Sequence, residues 1–215
     1  MSSIEAYPAT PELVGDFGMV SSTHWLASSA GMAMLEKGGN AFDAAAAAGF
    51  VLQIVEPHLN GVGGELPAIF YSATEDAVRV LCAQGSAPQD LSIALVRNEL
   101  GLSSVPGTGL LAAVVPGAFG GWMRLLADYG TLDLATVLEP AIGYAANGFP
   151  VLPRVGGALV EMAPFFAEHW PSSAETWTAG DLPTRAGQRI SSPRIAKTYQ
   201  RILAEAQAGG GSREQ

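Results

Sequence analysis

The chain has 215 residues, enough for one large domain or two small ones with a sizeable core. Hydrophobic residues make up 48% and charged residues 14%, a balance that excludes a disordered or coiled-coil protein. Eleven basic against 20 acidic residues give a formal charge of −9, so there is no electrostatic footprint for nucleic acid or an anionic membrane. One cysteine, Cys82, excludes an intramolecular disulfide framework and any cysteine-based zinc site. The first 18 residues lack a basic start followed by an apolar run, and the most apolar stretch (44–55) is too short to span a bilayer. These features point to a cytoplasmic protein with no membrane partner.

Residues 1–14 read as an N-terminal tail and 15–206 as the folded portion. Positions 18–22 read as a short strand. Residues 25–37 read as a helix through Leu26, Ala30, Ala33, Met34 and Lys37, with Gly38-Gly39 as its stop. Asn40 stands where an N-cap belongs, and Asp43 three residues on suits the positive end of the next helix, 41–55. Its alanine run 44–48 allows close packing, which marks the helix as buried.

After Pro57-His58-Leu59-Asn60, the glycines Gly61, Gly63 and Gly64 form a flexible connection. Strands 68–72 and 77–83 flank the polar turn Thr74-Glu75-Asp76, and 102–109 is a turn-rich loop. Residues 110–115 read as a buried strand, and Pro116-Gly117 leads into a helix over 118–128. A helix over 134–146 contains Pro140, expected to kink or divide it; the helical region 150–170 is expected to break at Pro164. The last helix spans 194–206, amphipathic through Ile195, Tyr199, Ile202 and Leu203, and 207–215 is a flexible tail.

The common catalytic sets are thin. His24, His58 and His169 lack metal-ligand spacing and read as capping or surface histidines, with His58 bonded to backbone. Gly61-Val62-Gly63-Gly64 follows a helix and has no lysine after it, so it is not a nucleotide cradle. Cys82, with no base or cation beside it, reads as a small core residue rather than a nucleophile. No Gly-x-Ser-x-Gly elbow supports a serine triad.

Longer signatures carry more. Gly18-Met19-Val20-Ser21-Ser22-Thr23-His24 precedes the helix ending in Gly38-Gly39-Asn40-Ala41-Phe42-Asp43-Ala44-Ala45. Val55-Glu56-Pro57-His58, Asn60-Gly61-Val62-Gly63-Gly64 and Ala87-Pro88 follow. Then come Val115-Pro116-Gly117, Tyr129-Gly130-Thr131-Leu132, Leu138-Glu139-Pro140-Ala141-Ile142 and Gly148-Phe149-Pro150. In this order and spacing, over about residues 15–206, the chain resembles the N-terminal part of the γ-glutamyltransferase (γ-glutamyltranspeptidase) family.

The resemblance implies an α+β chain forming part of an αββα N-terminal-nucleophile hydrolase sandwich, completed by a second polypeptide. It implies a precursor that cuts itself into a large and a small subunit, whose new N-terminal threonine is the nucleophile with its own α-amino group as base. That threonine and the oxyanion-hole glycine pair would lie beyond Gln215, so no catalytic residue falls in this chain. The implied partners are the small subunit and a small-molecule amide substrate; no metal or organic cofactor is implied.

Members that cleave glutathione carry an arginine where this sequence has Gln84, in Leu81-Cys82-Ala83-Gln84-Gly85-Ser86-Ala87-Pro88. A neutral amide lacks the guanidinium's bidentate grip on an α-carboxylate, each bond of which is worth about 1.5–3 kcal/mol. The pattern resembles the branch that includes oxamate amidohydrolase. Substrate contacts are thus expected from Gln84, Asn60, Gly63 and Gly64. Gln84 reads equally as an ordinary inward-facing strand residue, and Asn60 as part of a turn. The rival functions are a true γ-glutamyltransferase and a truncated, non-catalytic fragment.

Overall fold

In the computed structural model, residues 13–179, 182–183 and 185–210 are described. The expected tails at 1–14 and 207–215 lie largely outside that set. Of the seven α-helices among the described residues, α2 (Ala41–Val55) is central: it packs on α1 (Trp25–Glu36) along its length and also meets α3 (Ala118–Tyr129) and α4 (Leu134–Asn147). Asn40 caps α2 as expected: its Oδ1 accepts from the amides of Phe42 (2.9 Å) and Asp43 (3.1 Å). The Asp43 carboxylate accepts from the Asn40 amide in return, closing a capping box.

The small residues of the α1–α2 interface have a steric reason. A Cβ on Gly31 would stand 2.9 Å from the Ala44 carbonyl oxygen and 2.8 Å from Val20 Cγ1, so the helices meet backbone to backbone there. Ala44 and Ala48 lie at this contact, and Ala46, Ala47, Phe50, Val51, Ile54 and Val55 are buried in the same core.

Helix α4 (Leu134–Asn147) lies on α2 through Val137, Leu138, Ala141 and Ala145, and α7 (Pro193–Ala208) lies on α4. Tyr199 of α7 is fully buried and donates its hydroxyl to Gln53 Oε1 of α2 at 2.6 Å. Burial pushes its phenol pKa upward.

A two-stranded antiparallel hairpin, β1 (Leu66–Ser72) and β2 (Ala77–Ala83), stands on α3 (Ala118–Tyr129). Its turn is the expected one, with Asp76 at φ 48°. Phe70 on the inner face meets Phe42 edge-on at 5.1 Å and Tyr129 at 5.0 Å, which seats the hairpin on α2 and α3.

A smaller unit follows: β3 (Phe149–Pro150), α5 (Pro153–His169), α6 (Pro171–Trp177), and the short strands β4 (Thr178–Ala179), β5 (Leu182–Pro183) and β6 (Arg189–Ile190). Strand β3 pairs with β6, and β4 with β5. Val151, Val155 and Leu159 form its own small core.

Five expectations are corrected. Residues 18–22 form no strand; Val20 instead packs against α1. Residues 110–115 form no buried strand: a 3₁₀ turn occupies Leu110–Ala112, and Leu110 is 95% exposed. Pro140 does not divide α4 and Pro164 does not break α5; in α4 the packing of Val137, Leu138, Ala141 and Ala145 against α2 outweighs one lost backbone bond. Cys82 is exposed rather than buried, since strand alternation places it on the uncovered face of β2. His58 finds no backbone partner; both of its ring nitrogens are buried and unbonded.

Candidate functional site

Three structural features converge around the glycine loop. The first is the hairpin's outer face. Pro67, Ile69 and Tyr71 of β1 register against Cys82, Val80 and Val78 of β2, and all six are exposed, Ile69 to 74% and Val80 to 72%. An uncovered apolar sheet face of this kind marks an interaction surface. Continuing the alternation past Cys82 puts Gln84 on this outer face. It is exposed, and its Oε1 accepts from the Cys82 thiol at 3.5 Å. The inward-facing alternative for Gln84 is thereby excluded.

The second feature is how the loop is fastened. Gly64 O accepts from the amides of Gly117 (3.1 Å) and Ala118 (3.0 Å), so the loop's last glycine caps the N-terminus of α3. Val115 N in turn donates to Ser86 O at 3.0 Å. A Cβ on Gly85 would fall 1.4 Å from the Val115 carbonyl oxygen; only glycine permits this approach. Segment 115–117 thus clasps Gly64 on one side and the residues just after Gln84 on the other. Gly63 is exposed beside it.

Asn60 behaves differently. It is exposed, and its Nδ2 donates to Leu52 O (3.3 Å) and Glu56 O (3.5 Å), finishing the C-terminus of α2. It borders a small cavity of about 160 Å³ with Gln53, Phe149, Trp177 and Ser192. Its side chain is engaged at α2, whereas Gly64 and Gln84 share the 115–117 clasp. A cavity of about 860 Å³ lies between α3, α4 and α7 and is lined by none of residues 58–64 or Gln84.

The third feature is a polar cluster beneath the loop that sequence spacing gave no means of assembling. Glu56, 1% exposed, accepts from Thr23 Oγ1 and from Arg154 Nη2, tying the start of α1 and the start of α5 to the end of α2. Arg154 is 98 residues away in sequence. His24 caps α1, its Nδ1 accepting from the Leu26 amide at 3.1 Å, which leaves the proton on its buried, unbonded Nε2. Burial lowers the His24 pKa, opposed by Glu56 and assisted by Arg154. Burial, then Arg154, lowers that of His58, with Glu56 opposing.

Both histidines therefore take up a proton less readily in the folded than in the unfolded chain. Their contribution to stability is complete above the ordinary histidine value of about 6.5 and is lost as pH falls through it towards the lowered folded values. Protonation also converts the His24 cap from acceptor to donor. The urea midpoint is expected to fall between pH 7.5 and 5, less steeply in His24→Asn, which keeps a capping acceptor without the titration. An identical pH slope in the variant would exclude His24 as the source. Asp133, whose pKa is lowered chiefly by the Thr136 amide, contributes stability that is lost only below about 4, outside this window.

The hairpin, the helices behind its inner face and the glycine loop at its edge define a portion of an N-terminal-nucleophile hydrolase fold. The γ-glutamyltranspeptidase family model matches residues 27–209, and the chain belongs to that family.

Among its relatives, the glutathione hydrolase-like YwrD proenzyme of Bacillus subtilis is 42% identical over 65% of this chain and 26% of its own length. The acylase ACY 1 proenzyme of a Pseudomonas species is 37% identical over 94% of this chain and 36% of its own. The oxamate amidohydrolase proenzyme of Klebsiella pneumoniae is a more distant relative, 33% identical over 89% and 37%. The solved structure of LmbA2991HD is 49% identical with a TM-score of 0.89, over 97% of this chain and 36% of that one. Helicobacter pylori γ-glutamyltranspeptidase is 32% identical with a TM-score of 0.82, over 90% and 56%. The chain spans between about a quarter and two fifths of the length of these curated relatives. Among the described residues no helix is long and apolar enough to cross a membrane.

Proposed function

We propose that this chain supplies one wall of the substrate site of a self-processing threonine amidohydrolase, acting on a small amide of about the size of oxamate. The companion small subunit supplies the nucleophile. The observation that carries this reading is the apolar outer face of β1 and β2, with Gln84 at its polar end beside the Gly63-Gly64 loop. That the relatives are proenzymes supports a precursor origin for the second subunit.

In the assembled enzyme the threonine hydroxyl attacks the amide carbonyl, and its own α-amino group takes the proton and passes it to the departing amine. Water then hydrolyses the threonine ester, releasing the acid and restoring the hydroxyl. This chain's part is to seat the acyl group. Gln84 offers one amide at the hairpin's edge, and Gly63 and Gly64 form the loop side of the pocket mouth, while the Asn60 side chain stays engaged at the end of α2.

Gln84 argues against γ-glutamyl donors, because it cannot form a charge-assisted bidentate bond to their α-carboxylate. The glutathione hydrolase-like relative favours the other reading, and one experiment separates the two. The mature enzyme, produced from its full precursor, is assayed with a short primary amide and with a γ-glutamyl anilide. We expect faster turnover of the short amide, and a gain of about tenfold or more in kcat/KM for the γ-glutamyl anilide in Gln84→Arg. A γ-glutamyl preference in the parent enzyme, unchanged in Gln84→Arg, would overturn the assignment. Failure of the precursor to release a chain beginning with threonine would remove the reaction class altogether.

A further inference from the structure

Glu65 directly follows Gly64, and the β1–β2 register, which pairs Leu66 with Ala83, sets Glu65 opposite Gln84 when continued by one residue. The hydrogen bonds from Gly117 to Gly64 O and from Val115 to Ser86 O bracket this pair from one side, holding the two strand ends together. Alternation places Glu65 on the same outer face as Pro67, Ile69 and Tyr71, and both Glu65 and Gln84 are exposed. Residues directly opposite in an antiparallel pair have Cβ atoms about 4.5–5.5 Å apart. A carboxylate and an amide therefore form the polar end of an otherwise apolar face. Among the described residues the ion pairs engage other acids, so no cation recorded there neutralises Glu65.

We propose that Glu65 is a specificity-determining residue: it selects acyl donors carrying a protonated amine beside the scissile carbonyl and rejects donors carrying a carboxylate there. This rests on the amidohydrolase reading above and refines it, keeping the size of oxamate and reversing the charge. An ammonium at this position donates a charge-assisted bond to Glu65 and a second to Gln84 Oε1. A carboxylate there faces the like charge of Glu65, with only a neutral amide to offset it. A pocket wall rejects by such repulsion as effectively as it selects by attraction.

The test uses the mature enzyme from its full precursor and three anilides of similar size: glycyl (cationic), acetyl (neutral) and oxalyl (anionic). The parent enzyme is expected to favour the glycyl over the oxalyl substrate at least about tenfold in kcat/KM, and Glu65→Gln to shrink that ratio about tenfold. Glu65→Asp should retain the preference and Glu65→Lys should invert it. A ratio unchanged within twofold in Glu65→Gln overturns the proposal, as does an equal loss on all three substrates.

If the parent enzyme cleaves none of the three, binding decides the role of Glu65; the amidohydrolase reading itself falls only if short primary amides are also left uncleaved. Glycinamide should raise the melting temperature of the parent protein but not of Glu65→Gln, and oxamate should raise neither. Equal responses of parent and variant to glycinamide, including no response, overturn the proposal.

Discussion

Replacing Asp43 with alanine is expected to lower the unfolding free energy by about 3–5 kcal/mol, because four donors lose one buried charged acceptor. The carboxylate is fully buried and accepts from the Asn40 amide (2.9 Å), the Thr131 amide (2.9 Å) and hydroxyl (2.6 Å), and the Leu132 amide (3.1 Å). Two separate elements depend on it: the start of α2, and the turn that carries the chain from α3 to α4. Alanine leaves those donors facing each other across a small void, and hydrogen bonds to a charged group are each worth about 1.5–3 kcal/mol. They are not additive, which sets the estimate below their sum. Asp43→Asn keeps the shape and one acceptor oxygen and should cost about half as much. Equilibrium urea unfolding reads both, as a lower midpoint at unchanged slope. A loss under about 1 kcal/mol in Asp43→Ala would show that the turn is held by other contacts.

Glu56→Ala is the second large effect, about 2–4 kcal/mol. Its carboxylate is 1% exposed and joins three helix ends: Thr23 before α1, its own position after α2, and Arg154 at the start of α5. Breaking a buried pair by removing one member usually costs about 3–5 kcal/mol. The Arg154 side chain is 55% exposed and regains water when released, so the figure is set lower. The double variant Glu56→Ala/Arg154→Ala should be markedly less destabilised than the sum of the two single variants, because the pair is lost only once. The backbone of Glu56 also accepts from the amides of Leu59 (3.0 Å) and Asn60 (3.3 Å). Loosening it therefore propagates into the glycine loop, and activity should fall further than stability alone accounts for. Strict additivity in the double variant would show that Glu56 and Arg154 do not act together.

Local chemistry was legible where neighbouring residues settle the outcome. The Asn40–Asp43 capping box, the Gly38-Gly39 stop and the turn at Asp76 are each decided within four residues, and the helix and strand boundaries around them stand where spacing puts them. The two helix-internal prolines misled because one lost backbone bond is a local loss, whereas the packing of Leu138, Ala141 and Ala145 on α2 is a tertiary gain. The apolar run at 110–115 misled for the converse reason: it has strand-like composition, but no neighbouring strand among the described residues buries it.

The candidate site divides along the same line. Order and spacing of the motifs were enough to establish the family and to single out Gln84 and the glycine loop, since these are properties of a contiguous text of residues. Which way Gln84 points, that Glu65 stands across from it, and that Asn60 turns back to α2 depend on strand register and on hydrogen bonds between distant segments. The Thr23–Glu56–Arg154 cluster likewise unites residues up to 131 positions apart. Pattern along the chain determines what forms locally, because capping, turns and periodicity act over a few residues. Charge placement in the site is decided by tertiary structure, because a carboxylate's partners are whatever packing brings within a few ångströms of it.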